Sequence, residues 1–217
     1  MGRTIIFDVD GTLLNTEVIY MAAWVEAAAL HGFTMPDEAL RKTRAVNAKQ
    51  AAEVFRSYCG PDFSYETVRV DRVRIAEERI AAMKPEQLCM PQARETLAWL
   101  CRQGYTLAAA SSTGYEKTVE HLRHGGLLEF FQVIIGGDMV EKGKPNPDIF
   151  LKAAREAGAE PGECLVVGDT PADILAAHAA GIRSVMIPDQ VQPNEQITQM
   201  CWKVLENLAS LQATELF

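Results

Sequence analysis

Two aspartates with one residue between them are the feature of this 217-residue chain that most directly suggests chemistry. Asp8 and Asp10 follow the apolar segment 4–7 and precede Gly11 and Thr12. Residues two apart on an extended chain point the same way, so both carboxylates can converge at the carboxyl end of a buried strand. Such a pair suits a cation, and a polar turn after a strand is the simpler alternative explanation.

A second polar group follows the apolar segment 107–110. Ser111, Ser112 and Thr113 stand there, ahead of a helix-like segment. Hydroxyls and backbone amides at the start of a helix form a ready site for an anion. Simple capping of the helix explains the same residues equally well.

Lys144 is the third candidate, and prolines surround it. Pro145 restricts Lys144 to extended backbone, while Asn146 and Pro147 resemble the N-cap and first residue of a helix. A lysine held ahead of a helix can bridge phosphate oxygens and a carboxylate. Lys142, which lacks this framing, is interpreted as an ordinary solvated lysine.

The fourth group follows the apolar segment 165–168. Asp169 occupies the strand-end position that Asp8 occupies on the first strand, which makes it a candidate second metal carboxylate. Hard oxygen ligands in this number suit Mg²⁺. Asp173 has two possible roles, because Thr170 and Asp173 have capping-box spacing. The spacing leaves both helix capping and metal support open.

The elements that must position these groups alternate between helix and short apolar strand. The pattern predicts helices at 91–103, 114–124, 147–157 and 171–180, strands at 4–7, 105–110, 132–135, 164–167 and 184–187, and one or two closing helices within 193–217. Such alternation indicates an α/β fold with a parallel sheet covered by helices on both faces. Residues 15–90 instead show helical spacing throughout, with Gly32 and Gly60 as terminators, and so form a helical insertion.

Composition narrows the class of protein. A formal net charge of −8 without a Lys/Arg block argues against nucleic acid and anionic membranes as partners. No apolar run approaches the roughly 18 residues of a membrane span, and the N-terminus lacks a signal-peptide layout, so we expect a cytoplasmic protein. The five cysteines are odd in number and form no CxxC pair, which predicts reduced thiols.

The order Asp, Asp, Ser, Lys, Asp on strand ends resembles the haloacid dehalogenase-like superfamily of phosphohydrolases, over the whole chain. The residues that carry this resemblance are Asp8, Asp10, Gly11 and Thr12 in motif one, Ser111 in motif two, Lys144 in motif three, and Gly168, Asp169 and Asp173 in motif four. The helical block is similar to the α-helical C1 cap of the β-phosphoglucomutase and phosphoglycolate phosphatase branch. The resemblance implies a Rossmann-like doubly wound core at 1–14 and 91–217 with an inserted cap at 15–90.

The resemblance also implies a mechanism for a small phosphate monoester, such as a sugar phosphate. Asp8 would attack phosphorus and form an aspartyl phosphate, and Asp10 would serve as general acid and then general base. Mg²⁺ would be held by Asp8, the Asp10 backbone carbonyl and Asp169, with Asp173 as possible support. The phosphoryl oxygens would be bound by Ser111 and Lys144, with added hydrogen bonds from Thr113 and from backbone near Gly11 and Ser112. We expect a monomer or weak dimer.

Residues in the predicted cap would recognise the substrate. The candidates are Glu17, Tyr20, Arg44, Asn47 and Lys49. A solvated polar loop explains Arg44, Asn47 and Lys49 at least as well, and Trp24 is better explained by core packing. His121 and His124 lack a third ligand and are interpreted as surface residues.

Two other functions share parts of this pattern. A β-phosphoglucomutase-like phosphotransferase would use the same core, but Tyr20 stands where a mutase carries histidine, and the loop 43–48 lacks the expected glycine. A receiver-like phospho-aspartate signalling module would also combine acids, a hydroxyl and a lysine. The 111 − 8 = 103 residues from Asp8 to Ser111 argue against a receiver. Hydrolysis is therefore the favoured function.

Overall fold

A six-stranded parallel sheet forms the centre of the fold in the computed structural model, which describes residues 3–43 and 48–217. The strands are β1 (Thr4–Phe7), β2 (Thr106–Ala110), β3 (Val133–Ile135), β4 (Cys164–Gly168), β5 (Arg183–Met186) and β6 (Lys203–Val204). Their order is β3-β2-β1-β4-β5-β6, with every neighbouring pair parallel. The predicted Rossmann-like, doubly wound α/β fold is confirmed. Strand order reverses next to β1, where ligands bind in such sheets.

Ten α-helices accompany the sheet within the described residues. They are α1 (Thr16–Leu30), α2 (Asp37–Thr43), α3 (Ala48–Cys59), α4 (Tyr65–Ala82), α5 (Pro85–Leu88), α6 (Ala93–Arg102), α7 (Tyr115–His124), α8 (Asp148–Glu156), α9 (Pro171–Ala179) and α10 (Glu195–Met200). The sheet's helices alternate with strands as predicted, and their ends differ from the predicted ones by at most two residues.

The central strands are buried on both faces. Every residue of β1 and β4 is buried, which explains why these strands read as continuous apolar runs rather than alternating ones. Phe7 is in register with Ala109 on one side and Val167 on the other. The residues that follow these strands therefore emerge together at one edge of the sheet.

The chain divides into two compact units, each with its own core. One unit contains the sheet and comprises the residues up to Asn15 together with Lys84–Phe217, and the other is the helical unit Thr16–Met83. The segment 84–90, including α5, belongs to the sheet unit, whereas the sequence predicts a helical insertion over 15–90. The core of the helical unit is aromatic: the Phe55 ring centroid lies 4.7 Å from Trp24 and 5.7 Å from Phe63. Trp24 is a core residue, as predicted.

The C-terminal region differs from prediction. One predicted helix is present as α10, but the two-residue strand β6 and a 3₁₀ segment at Leu208–Ala213 follow it. A strand of two residues at the sheet edge leaves no alternating pattern in the sequence, because it pairs on one side only. The sequence analysis missed β6 for this reason.

Two further expectations concern thiols and membranes. All five cysteines are free thiols, as the absence of a paired spacing predicts. Among the described residues, no helix combines the length and the apolar character that crossing a membrane requires.

Candidate active site

A buried lysine lies at the centre of the carboxyl edge of the sheet. The Lys144 ammonium contacts Asp8 Oδ1 at 2.5 Å, Asp173 Oδ1 at 2.8 Å and the Ala110 carbonyl at 2.9 Å. Its side chain is only 4% exposed, whereas Lys142 is exposed. The Phe150 ring of α8 lies against it, with the Nζ 4.9 Å from the ring centroid. Lys144 therefore joins the ends of β1, β2 and β4, and the Lys144–Pro145 peptide bond is cis.

Three carboxylates form a cluster next to this lysine. Asp8, Asp169 and Asp173 are buried, and one carboxylate oxygen from each lies within 4.8 Å of the others. Burial, and then the charges of Asp173 and Asp10, raise the pKa of Asp8 to about 7, although Lys144 opposes this. Burial and the charges of Asp8 and Asp173 likewise raise the pKa of Asp169. Three acids facing one ammonium group leave an excess of negative charge in a buried site.

Lys144 itself stays charged. Its burial disfavours the cation, but the charges and hydrogen bonds of Asp173 and Asp8 outweigh burial and raise its pKa above the ordinary value. A permanently positive group at this position can neutralise Asp8 and the oxygens of a bound phosphate.

Tight backbone packing holds Asp169 against motif one. Gly11 adopts φ +91°, and a Cβ at this position would lie 2.5 Å from Asp169 Oδ2. Thr12 donates its hydroxyl to Asp169 Oδ1 at 2.8 Å. Glycine is required at position 11 both for its backbone conformation and for this close approach.

Asp173 takes the capping role that its spacing allows, and it also contacts Lys144. Its Oδ2 accepts from the Thr170 amide at 3.0 Å and the Thr170 hydroxyl at 2.6 Å, and its own amide donates to Thr170 Oγ1 at 3.4 Å. This is a capping box at the start of α9. The other oxygen contacts Lys144, so one carboxylate both begins the helix and faces the acid cluster.

Asp10 belongs to a separate group of hydroxyls. Its Oδ2 accepts from Ser111 Oγ at 2.7 Å and from Thr113 Oγ1 at 3.1 Å. The Ser111 oxygen in turn accepts from the Thr113 amide at 2.9 Å. Ser111 is fully buried, whereas Ser112 is exposed on the same loop. The two aspartates of motif one thus have different partners: Asp8 faces Lys144, and Asp10 faces hydroxyl donors.

The donor set of the acid cluster suits Mg²⁺. Carboxylate oxygens are hard ligands, and Mg²⁺ is held by one or two carboxylates together with substrate phosphate. A bound divalent cation would also offset the negative excess that raises the pKa of Asp8 and Asp169.

Of the candidate residues of the helical unit, the structure describes Glu17, Tyr20 and Lys49. Glu17 is half-buried and Lys49 is exposed, while Arg44 and Asn47 lie outside the described residues. Tyr20 donates its hydroxyl to Glu77, and the Arg72 guanidinium stacks 4.4 Å above the Tyr20 ring.

One sequence interpretation is wrong. His121 was expected at the surface but is 2% exposed. It lies on the stripe of α7 that includes Thr118 and Leu122, which the helix buries. The spacing of Thr118, His121 and Leu122 is that of one helix face, which is the sequence signal for this burial. His124 is half-buried.

Two contacts were not found from the sequence. Phe150 packs against Lys144, and Asp138 accepts a hydrogen bond from the Tyr115 amide at the start of α7. Nothing in the sequence pairs Phe150 with a lysine. Asp138 had a weak signal, because Gly114 precedes α7 and has no side chain with which to cap it.

Comparison with known proteins shows which family has this sequence and fold. Residues 5–187 match the family described as haloacid dehalogenase-like hydrolase. "Probable phosphatase IndB" of Dickeya dadantii (strain 3937) is 32% identical over 204 residues, covering 91% of this chain and 86% of the relative. "Phosphorylated carbohydrates phosphatase" of Thermotoga maritima is 28% identical over 183 residues, covering 84% and 83%. The crystal structure of CbbY from Rhodobacter sphaeroides in complex with phosphate has a TM-score of 0.80 at 27% identity, covering 97% and 96%.

The chain therefore belongs to the haloacid dehalogenase-like hydrolase family, which confirms the resemblance carried by its motifs. Within that family, several curated relatives are named phosphatases, and the protein is a phosphatase enzyme.

Proposed function

We propose that the protein is a Mg²⁺-dependent phosphatase that hydrolyses a small phosphate monoester through an aspartyl phosphate on Asp8. The observation that carries this proposal is the position of Asp8, which contacts Lys144 and belongs to the acid cluster. An anionic nucleophile can approach an anionic phosphate only where positive charge offsets their repulsion. Asp8 is the one aspartate of motif one that has this environment.

In the first step, a carboxylate oxygen of Asp8 forms a bond to phosphorus while the bond from phosphorus to the leaving oxygen breaks. Asp10 supplies the proton that the leaving oxygen takes up. In the second step, Asp10 accepts a proton from water, whose oxygen attacks phosphorus and releases Asp8. The separate environments of the two aspartates support this division, because Asp10 contacts hydroxyl groups rather than the lysine.

The phosphoryl oxygens would be bound by Lys144, Ser111 and Thr113. The ammonium group is charged and buried, so its attraction for developing negative charge is little screened by water. Ser111 has a hydroxyl proton available to a phosphate once it releases Asp10. Asp8, Asp169 and the Asp10 backbone carbonyl would hold Mg²⁺, with Asp173 in support. When bound, Mg²⁺ supplies positive charge that stabilises the oxygens of the transferring group.

The helical unit Thr16–Met83 would act as the cap that determines the substrate. Candidate residues for this task are Glu17, Arg44, Asn47 and Lys49. A sugar phosphate is the substrate class we favour, because one relative is named for phosphorylated carbohydrates. The substrate would be chosen by this unit and the chemistry performed by the sheet unit.

A panel of phosphate monoesters tests the proposal. Purified protein with Mg²⁺ should release inorganic phosphate from one or more sugar phosphates, and EDTA should stop this release until Mg²⁺ is restored. A mutase-type phosphotransferase would consume a sugar phosphate with little free phosphate released. Turnover that persists in EDTA at its full rate would contradict the role of the metal.

A further inference from the structure

The loop after β2, which carries Ser111–Thr113, is attached along its length to the loop after β3. Three hydrogen bonds in succession connect the two segments. The Ser111 amide donates to the Ile135 carbonyl at 3.0 Å, and the Gly137 amide donates to the Thr113 carbonyl at 2.9 Å. The Tyr115 amide then donates to Asp138 Oδ1 at 2.8 Å. The pairing of β2 with β3 thus continues beyond the ends of both strands.

The start of α7 depends on this attachment. Its N-cap residue is Gly114, in extended conformation, and no side chain of its own caps the helix. Asp138 supplies the missing acceptor from 138 − 115 = 23 residues away. A helix whose cap comes from a neighbouring loop has its first turn positioned by that loop, and a carboxylate also suits the positive end of the helix.

Two glycines bring the loops into direct backbone contact. A Cβ on Gly136 would lie 2.1 Å from the Tyr115 amide nitrogen, and a Cβ on Gly137 would lie 2.3 Å from the Ser112 carbonyl oxygen. Both obstacles are backbone atoms, so no side-chain rotation could relieve them. Any residue other than glycine at these positions would push the Ser111–Thr113 loop away.

We propose that Gly136, Gly137 and Asp138 form a support that sets the position of the Ser111–Thr113 loop, with Asp138 as a positioning residue for phosphate binding. This inference rests on the proposed function, in which that loop binds the phosphoryl oxygens. Asp138 is exposed and touches no reacting atom. Its effect passes through the Tyr115 amide to a loop whose hydroxyls otherwise contact Asp10.

The test compares Asp138→Ala with Gln132→Ala. Gln132 Oε1 accepts from the Leu107 amide at 2.8 Å, so it makes the same kind of link between the β3 and β2 segments, four residues upstream of Ser111. With p-nitrophenyl phosphate as substrate, Asp138→Ala should raise KM, and the inhibition constant of inorganic phosphate, by about fivefold, with a smaller change in kcat. Gln132→Ala should leave both constants within about twofold of wild type.

Conservative variants separate positioning from stability. Asp138→Asn keeps the acceptor oxygen and should restore KM to within about twofold of wild type. Should Asp138→Ala fail to fold, Asp138→Ser, with a shorter acceptor, should give an intermediate KM. Gly137→Ala should raise KM by about tenfold or more, whereas Gly162→Ala, whose Cβ would meet nothing within 4 Å, should not.

The outcomes distinguish this inference from the proposed function. A wild-type protein that hydrolyses phosphate esters, with Asp138→Ala and Gly137→Ala giving the KM and phosphate inhibition of their controls, overturns the inference alone. A wild-type protein that releases no phosphate in Mg²⁺ overturns the proposed function and this inference with it.

Discussion

The sheet unit contains buried ion pairs beside its exposed ones, whereas the ion pairs within the described part of the helical unit are all partly exposed. In the sheet unit, Lys144 meets Asp8 and Asp173 in a site where all three side chains are less than a tenth exposed. In the helical unit, the ion pair of Arg79 with Glu26 has both side chains close to half exposed. Buried charge is costly unless it is paired, whereas exposed charge contributes little. The two units should therefore respond differently to the loss of a charged side chain.

The cores of the two units differ in a complementary way. The central strands of the sheet unit consist mainly of small and aliphatic side chains, such as Ala108 beside Ile6. The helical unit instead packs four aromatic rings together, from Trp24, Phe55, Phe63 and Tyr65. We expect substitutions to separate along the same line, affecting catalysis in one unit and stability in the other.

The largest effect should come from the proposed nucleophile. Asp8→Asn removes the anionic oxygen that attacks phosphorus, so we expect phosphate release to fall by about 10⁴-fold or more. Folding should be retained, since asparagine has nearly the same shape. Steady-state phosphate release and circular dichroism check this together. An Asp8→Asn enzyme with substantial turnover would show that Asp8 is not the nucleophile.

Lys144→Met should reduce both activity and stability. It removes the cation facing the phosphate, for an expected loss of about 10²- to 10³-fold in kcat/KM. It also leaves Asp8 and Asp173 buried without their partner, at a cost of about 3–5 kcal/mol in the free energy of unfolding. Lys142→Met, two residues away and exposed, is the control and should change neither quantity. Equal behaviour of the two variants would remove the distinction between buried and exposed charge.

Phe55→Ala tests the aromatic core of the helical unit. The side chain is fully buried, and its loss should lower the free energy of unfolding by about 3–5 kcal/mol through the cavity it leaves. Denaturant unfolding monitored by tryptophan fluorescence measures this change, since Trp24 lies beside the ring. A loss below about 1 kcal/mol would mean that the aromatic cluster contributes little.

The pH dependence of Mg²⁺ binding should reflect the raised pKa of Asp8. Burial raises that pKa to about 7, so between about pH 4 and pH 7 the metal-free folded state retains a proton that the unfolded chain has released. The stability of the metal-free protein therefore falls as pH rises through this range. Mg²⁺ requires the ionised carboxylate, and below pH 7 its apparent affinity should fall by about tenfold per pH unit. The Mg²⁺-induced rise in Tm should therefore be larger at pH 8 than at pH 5.5. A rise that does not depend on pH would contradict this linkage.

The smallest effect should come from an exposed ion pair. Arg79→Met breaks the contact with Glu26 and should change the free energy of unfolding by less than about 0.5 kcal/mol. The change should shrink further in high salt, because exposed charges are screened. Thermal unfolding at low and high salt measures it. A cost comparable to that of Lys144→Met would mean that burial does not separate the two units.

Much of the sheet unit could be predicted because β1, β2 and β4 are apolar on both faces and end at glycine or beside a polar residue. The strand β4, for example, is predicted at 164–167 and found at Cys164–Gly168. The strand β6 could not be predicted, because two residues on a sheet edge carry no periodicity. His121 differs from β6, since the helical spacing of Thr118, His121 and Leu122 does indicate a buried face of α7.

The sequence predicts which residues lie in the candidate site, but not which of them contact each other. Spacing on strand ends brings Asp8, Asp10 and Asp169 to one edge of the sheet. Which acid faces Lys144, and which faces the hydroxyls of Ser111 and Thr113, depends on side-chain packing between segments far apart in sequence. The contact of Asp138 with α7 belongs to the same class, because Gly114 indicates that a cap is missing but not which loop supplies it.

Trapping the covalent intermediate tests the central claim most directly. Wild-type protein is mixed with Mg²⁺ and a phosphate ester that it hydrolyses, then quenched in acid and treated with borohydride. Borohydride should reduce the acyl phosphate of the modified aspartate to the alcohol, which converts that residue to homoserine. Peptide mass spectrometry should find that conversion at Asp8, with no conversion when substrate is omitted. Homoserine at Asp10 or another aspartate, or an unmodified Asp8 in an enzyme that is turning over, would contradict the account.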